Sequence, residues 1–132
     1  MSMNSSDVAA GQHGYATQYN NLRKDVKNGI RDITSNTDAA TVTFDLTASN
    51  VHTVSLGGNR TLDISTPTVG QAFLVRIAQT TGSNTVTWWS TIKWPGGAAP
   101  TLSTAAGAVD AFVIICTGSG TYDGYFAGFG LA

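Results

Sequence analysis

Glutamate is absent from the sequence, and charged residues of every kind are few. All eight acidic residues of the 132-residue chain are aspartates, and charged residues make up 11% of the sequence, whereas a typical globular domain carries about 25%. Glutamate is a good helix former, and this chain is instead rich in threonine, valine and glycine, which favour strands and turns. The composition predicts a mainly β protein with one domain of ordinary size.

The sequence also lacks a strong net charge and a long hydrophobic run. The formal net charge is −1, so no overall basic field attracts nucleic acid. The longest apolar run covers residues 111–116, which is far short of the roughly 20 residues that span a bilayer as a helix. The first residues have neither the basic start nor the apolar stretch of a signal peptide. We expect a protein made in the cytoplasm, with no nucleic-acid partner and no membrane partner.

Groups that could hold a metal or carry out catalysis are scarce. The single cysteine, Cys116, cannot form an internal disulfide and lies in an apolar run that predicts a strand interior. His13 and His52 are the only histidines, and neither has the two or three nearby Cys, His or acidic partners that a zinc site needs. A convergence of distant residues into a Ser-His-Asp set or a carboxylate pair stays open. We predict no metal, no cofactor and no enzymatic activity.

The first positive signal is an apolar stripe near the start of the chain. Tyr15, Tyr19, Leu22 and Val26 recur at steps of three and four residues, which is the spacing of one face of a helix. The pattern predicts a helix over about residues 14–28. We call these four side chains the anchor stripe.

The segment around this helix has the character of an arm. Residues 1–13 show no periodicity and residues 34–40 are polar, so we predict an N-terminal arm over residues 1–40. Arg23 and Lys27 lie in the second half of the helix, where cations suit the negative end of the helix dipole. The anchor stripe must be covered. We favour a partner surface or a neighbouring copy over packing on the chain's own β domain.

From residue 41 onward the apolar residues alternate with polar ones, as in half-buried strands. Short strands recur at roughly ten-residue spacing, and Gly57–Asn59 is a turn signal between two of them. Residues 41–132 are therefore predicted to form an antiparallel, jelly-roll-like β-sandwich of about eight strands. The predicted strands are 41–46, 54–56, 62–64, 73–77, 85–89, 91–94, 109–117 and 122–129.

The aromatic residues of the second half of the chain are the other candidate site. Trp88 and Trp89 are adjacent, so on a strand they point to opposite faces, one towards the core and one outwards. Three interpretations stay open for this group, namely core packing, a subunit interface, and a platform on which sugar rings stack. The candidate residues for an interface or a glycan platform are Trp89, Trp94, Tyr122, Tyr125 and Phe129.

Four stretches of the chain resemble a family of tailed-bacteriophage virion proteins. Residues 11–25, built around Tyr-Asn-Asn-Leu-Arg, are similar to a segment near the start of many such proteins. Residues 41–62, 85–102 and 122–126 are similar to the β module that follows it. In that family the module occurs in tail-fibre, head-fibre and capsid-decorating proteins, so the resemblance implies a structural role in the virion and supplies no catalytic residue.

The resemblance implies a more specific role as well. Fibre proteins commonly embed the module in a longer chain, whereas this sequence is close to the module alone, which suits a capsid decoration (cement) protein. We expect trimers of the β domain on the head, made in the host bacterial cytoplasm, with residues 1–40 bound to major capsid protein or to a neighbouring copy. The alternatives are a tail or collar component, such as a fibre base or adaptor, and a glycan-binding receptor-recognition module.

Overall fold

A computed structural model describes residues 32–132 of the chain. The predicted helix at 14–28 and the anchor stripe lie outside the described residues. Strands make up 53% of the described part, and no α-helix occurs in it. The predicted mainly β class is therefore confirmed.

The described chain contains nine strands and one 3₁₀ turn, at Pro95–Gly97. The strands are β1 (Ile33–Asn36), β2 (Thr41–Asp45), β3 (Val51–Leu56), β4 (Arg60–Ser65), β5 (Ala72–Gln79), β6 (Val86–Thr87), β7 (Ile92–Lys93), β8 (Val109–Gly118) and β9 (Thr121–Leu131). They form a six-stranded sheet in the order β1-β3-β5-β8-β9-β7 and a three-stranded sheet in the order β2-β4-β6.

The first six strands alternate between the two sheets. Strands β1, β3 and β5 are parallel neighbours in the larger sheet, and β2, β4 and β6 are parallel neighbours in the smaller one. Each turn of this coil adds one strand to each sheet. The predicted turn at Gly57–Asn59 lies between β3 and β4, so it joins the two sheets and does not close a hairpin.

The last two long strands close the coil as an antiparallel hairpin. Strand β8 pairs antiparallel with both β5 and β9, and β7 adds a short parallel pairing to β9. The predicted antiparallel arrangement thus holds for β5, β8 and β9 and is wrong for the other pairings, and a jelly roll is not confirmed. Alternation of apolar residues determines which face a side chain occupies, but not the direction of the neighbouring strand.

The predicted boundary between arm and β domain also needs a correction. The polar residues 34–40 are assigned to the N-terminal arm by the sequence, but β1, at Ile33–Asn36, pairs with β3 of the β domain. The following residues are held by Asp38, which accepts hydrogen bonds from Arg60 Nε at 2.6 Å, Arg60 Nη2 at 2.7 Å and the Gly57 amide at 3.0 Å. Their polarity reflects inward hydrogen bonds at the edge of the sheet, so the β unit begins at Ile33.

The core lies between the two sheets and is built by the alternating residues. The most buried side chains include Phe44 and Leu62 of the smaller sheet and Phe73, Val75 and Ile114 of the larger one, all at most 2% exposed. Three strands cannot cover a sheet of six. The gap is filled by the aromatic cluster, which we define as Trp88, Trp89, Trp94, Phe112 and Tyr122, whose rings contact one another.

Gly124 tests how tightly this cluster is packed. A Cβ on Gly124 would run into the ring atoms of Trp94, whereas a Cβ on Gly128 in the same strand would meet only the end of the Leu131 side chain at 3.4 Å. We expect Gly124→Ala to lower the free energy of unfolding by about 1–3 kcal/mol, as overpacking does. Gly128→Ala is the matched control and should change it by much less in urea unfolding. Equal effects of the two substitutions would contradict this packing.

Candidate functional site

His52, one of the two histidines, is fully buried and has a structural role. Its Nε2 lies 3.0 Å from the Ser49 carbonyl oxygen, which can only accept a hydrogen bond, so Nε2 carries the proton. Its Nδ1 then accepts from the Asn36 side-chain amide at 3.2 Å. Burial lowers the pKa of His52, more than its backbone hydrogen bond to Ser49 and the charge of Asp45 raise it. The neutral ring thereby joins β1 to β3.

The other buried polar side chains also hold loops in place. Asp110, 2% exposed, accepts hydrogen bonds from the Ser103 amide at 2.6 Å, the Ser103 hydroxyl at 2.7 Å and the Gly130 amide at 2.9 Å. Gln79 donates to the carbonyl oxygens of Asn84 at 2.8 Å and Ser103 at 3.0 Å. The hydrogen bonds of both side chains hold the loop before β8 in place, and those of Asp110 also hold the end of β9.

Residues 32–132 hold neither a cluster of metal-ligating side chains nor a helix suited to a membrane. No three His, Cys, Asp or Glu side chains there are grouped closely enough to hold a metal ion. No helix in that range has the length and apolar character needed to cross a membrane.

The five aromatic residues predicted as an interface or a glycan platform do not share one surface. Trp94 and Tyr122 are core residues, 9% and 6% exposed, and Trp89 is half-buried against Phe73 and Tyr122. Of the three interpretations, core packing therefore describes Trp94 and Tyr122, because the smaller sheet leaves a gap that their rings fill. Only Tyr125 and Phe129, each 46% exposed, are available to a partner.

The outward face of the six-stranded sheet carries an apolar row. Ile33 pairs with Val51, Val51 with Leu74, Leu74 with Val113, and Val113 with Tyr125. These five residues therefore form one line across five adjacent strands, which we call the outer row. Its two ends are open, with Ile33 65% and Tyr125 46% exposed, and its middle three members are half-buried.

A second apolar surface lies at the end of β9 and consists of Phe126, Phe129 and Leu131, which we call the aromatic end. The three side chains are 44–46% exposed. A shift in register between the pairs Ala111–Gly128 and Phe112–Phe126 marks a β-bulge, and Phe126 and Phe129 contact each other beside Trp94 and Phe112. Beyond Asp123 this strand has no partner on its β7 side among the described residues, and an open apolar edge favours association.

Neither surface was predicted as a unit from the sequence. The outer row joins residues that are far apart in the chain, and only the register of the pairings aligns them. One signal was available, because β5 and β8 carry Leu74, Val113 and Ile115 at the positions that alternation assigns to solvent. An apolar residue on both faces of a strand indicates that both faces are to be covered.

Comparisons of the chain with family models, curated proteins and solved structures found no match.

The environment of His52 predicts a pH dependence of stability. In the folded chain the pKa of His52 lies below its ordinary value of 6.5. As the pH falls, the unfolded chain therefore takes up a proton at a pH where the folded chain does not. The free energy of unfolding should be fully retained above pH 6.5 and should decrease as the pH falls below it, by at most about 1.4 kcal/mol per pH unit. His52→Gln should reduce this slope between pH 7 and pH 5 in urea unfolding. An unchanged slope would contradict the assigned neutral ring.

Proposed function

We propose that the protein is a structural component of a tailed-bacteriophage particle, and specifically a decoration protein on the capsid. One exposed apolar surface, the aromatic end, carries this proposal. Exposed apolar patches on a soluble domain mark sites of association with other protein. The resemblance of residues 11–25 and of the β module to virion proteins supplies the class of partner.

The arm supplies the contact with the shell in this proposal. The anchor stripe Tyr15, Tyr19, Leu22 and Val26, flanked by Arg23 and Lys27, offers an apolar face with cations beside it, and binds major capsid protein or another virion protein. A subunit that binds only the assembled shell stabilises it by mass action. Multiple arms in one oligomer would raise the strength of attachment without new contacts.

The aromatic end supplies the contact between copies. Phe126, Phe129 and Leu131 lie on a strand whose second edge is open after Asp123. Burying this patch in a closed ring of three copies would cover both the side chains and the edge. We therefore propose a homotrimer that forms around β9.

Virion composition and arm variants together test this function. The protein should be found in purified virions, by quantitative mass spectrometry, in numbers comparable to the major capsid protein. Leu22→Asp should abolish binding to heads that lack the protein, because it places a charge in the anchor stripe. Asn21→Asp makes the same change in charge off the stripe and should retain binding. A few copies per particle would indicate the tail or collar alternative, and binding by Leu22→Asp would exclude the stripe as anchor.

Oligomeric state tests the role of the aromatic end. Phe129→Asp should convert trimers into monomers, measured by sedimentation equilibrium, because a charge in a buried apolar interface loses its solvation. Val69→Asp is the control and should leave the trimer intact. Val69 is 62% exposed, and the next residue, Gly70, donates a hydrogen bond to the Cys116 carbonyl oxygen, at the opposite end of β8 from Val109, the partner of Leu131. A wild-type protein that sediments as a monomer would refute the trimer.

A further inference from the structure

We propose that the outer row is the docking site of the chain's own residues 14–28, so that in the isolated subunit the anchor stripe lies on its own six-stranded sheet. The inference deepens the proposed function, because it states where the anchor stripe lies before it reaches a particle. Its first test needs no particle and can therefore fail or succeed independently of the virion role.

The chain enters the sheet at one end of the outer row. Ile33 is the first residue of β1 and also the first member of the outer row. Residues 29–32 are all that separates the predicted helix from it. The five steps from residue 28 to Ile33 span at most about 18 Å. The end of the helix must therefore lie near the Ile33 end of the outer row.

The anchor stripe and the outer row have similar lengths. From Tyr15 to Val26 the anchor stripe extends about 16 Å along a helix that rises 1.5 Å per residue. The outer row crosses five strands, which at the usual strand spacing is about 19 Å. A helix that runs back from β1 across the sheet would place Val26 near Val51 and Tyr15 near Tyr125.

The outward face of the six-stranded sheet is apolar enough to receive a helix. The outer row is flanked on one side by Ser35, Thr53 and Arg76 and on the other by Ala72 and Ile115, all of which occupy outward positions of their strands. The face is therefore apolar along the outer row and at Ala72 and Ile115 beside it, and polar on the side of Ser35, Thr53 and Arg76. An amphipathic helix requires a face of this kind to cover its apolar side.

Cysteine cross-linking in the full-length protein tests the contact. Val26→Cys with Val51→Cys should be joined within one chain by a short bis-methanethiosulfonate reagent. The product should migrate as a monomer on a denaturing gel without reductant. Val26→Cys with Ser55→Cys is the matched control, because Ser55 lies on the same strand and face as Val51 but about 13 Å further along it. The native Cys116 is 2% exposed and is shielded from the reagent.

The cross-link yields decide between the occupants of the outer row. We expect the Val51 pair to react within the chain roughly tenfold more than the Ser55 pair, because a docked segment has a high effective concentration. Cross-linked dimers or trimers would overturn the proposal and assign the outer row to the arm of a neighbouring copy. Equal yields for the two pairs, or no product, would overturn docking on this face altogether.

The same variant separates this inference from the proposed function. A subunit whose stripe is locked on its own sheet should not bind heads, and dithiothreitol, which removes the cross-link, should restore binding. If the Val51 pair cross-links within the chain but the reduced protein never binds heads, the inference stands and the anchoring function fails. If no cross-link forms within the chain but wild-type protein binds heads, the function stands and the inference fails.

Discussion

The structure depends on covering a six-stranded sheet with a sheet of three strands. The parallel coil supplies matched strands only as far as β5 and β6, after which β8, β9 and the two-residue β7 extend the larger sheet alone. Their inward face needs another cover, because a sheet with one buried face is stable only against a second layer. The segment between β6 and β8 provides that layer with the large side chains of Trp88, Trp89 and Trp94 in place of strands.

The aromatic side chains that fill the gap also bury polar atoms, which costs free energy. The indole Nε1 atoms of Trp88 and Trp89 are buried and have no hydrogen-bond partner among residues 32–132. A buried donor without a partner costs about 1–3 kcal/mol, while the rings of each tryptophan pack against several others and bury a large apolar area. Gly124 belongs to the same solution, since its missing side chain is the space that Trp94 occupies. The cover ends at Trp94, and the aromatic end of β9 beyond it is the remaining open surface.

The sequence allows the strands and the core to be predicted, but not the partners of the strands. Period-two alternation correctly marks Val42 and Phe44 as inward residues, and likewise Phe73 and Val75, because burial of one face is a local property of a strand. Whether β3 pairs parallel with β5 depends on the path of the chain between them, and alternation carries no information about that path. Strand β1 was missed for a related reason, since its inward residues are Thr34 and Asn36, which bond Ser49 and His52 and do not join the apolar core.

The candidate surfaces show the same limit in a stronger form. Each strand contributes a single residue to the outer row, and one such residue alone means little, because single exposed apolar residues are common on protein surfaces. The parallel register of β1, β3 and β5 and the antiparallel register of β5, β8 and β9 bring the five residues into one line. An apolar line that crosses five strands of a sheet presents a continuous surface, and such a surface requires a second layer. On the inward face of the sheet, the aromatic cluster provides a second layer. The outer row and the aromatic end are therefore the two places where the described part of the chain still has to be covered.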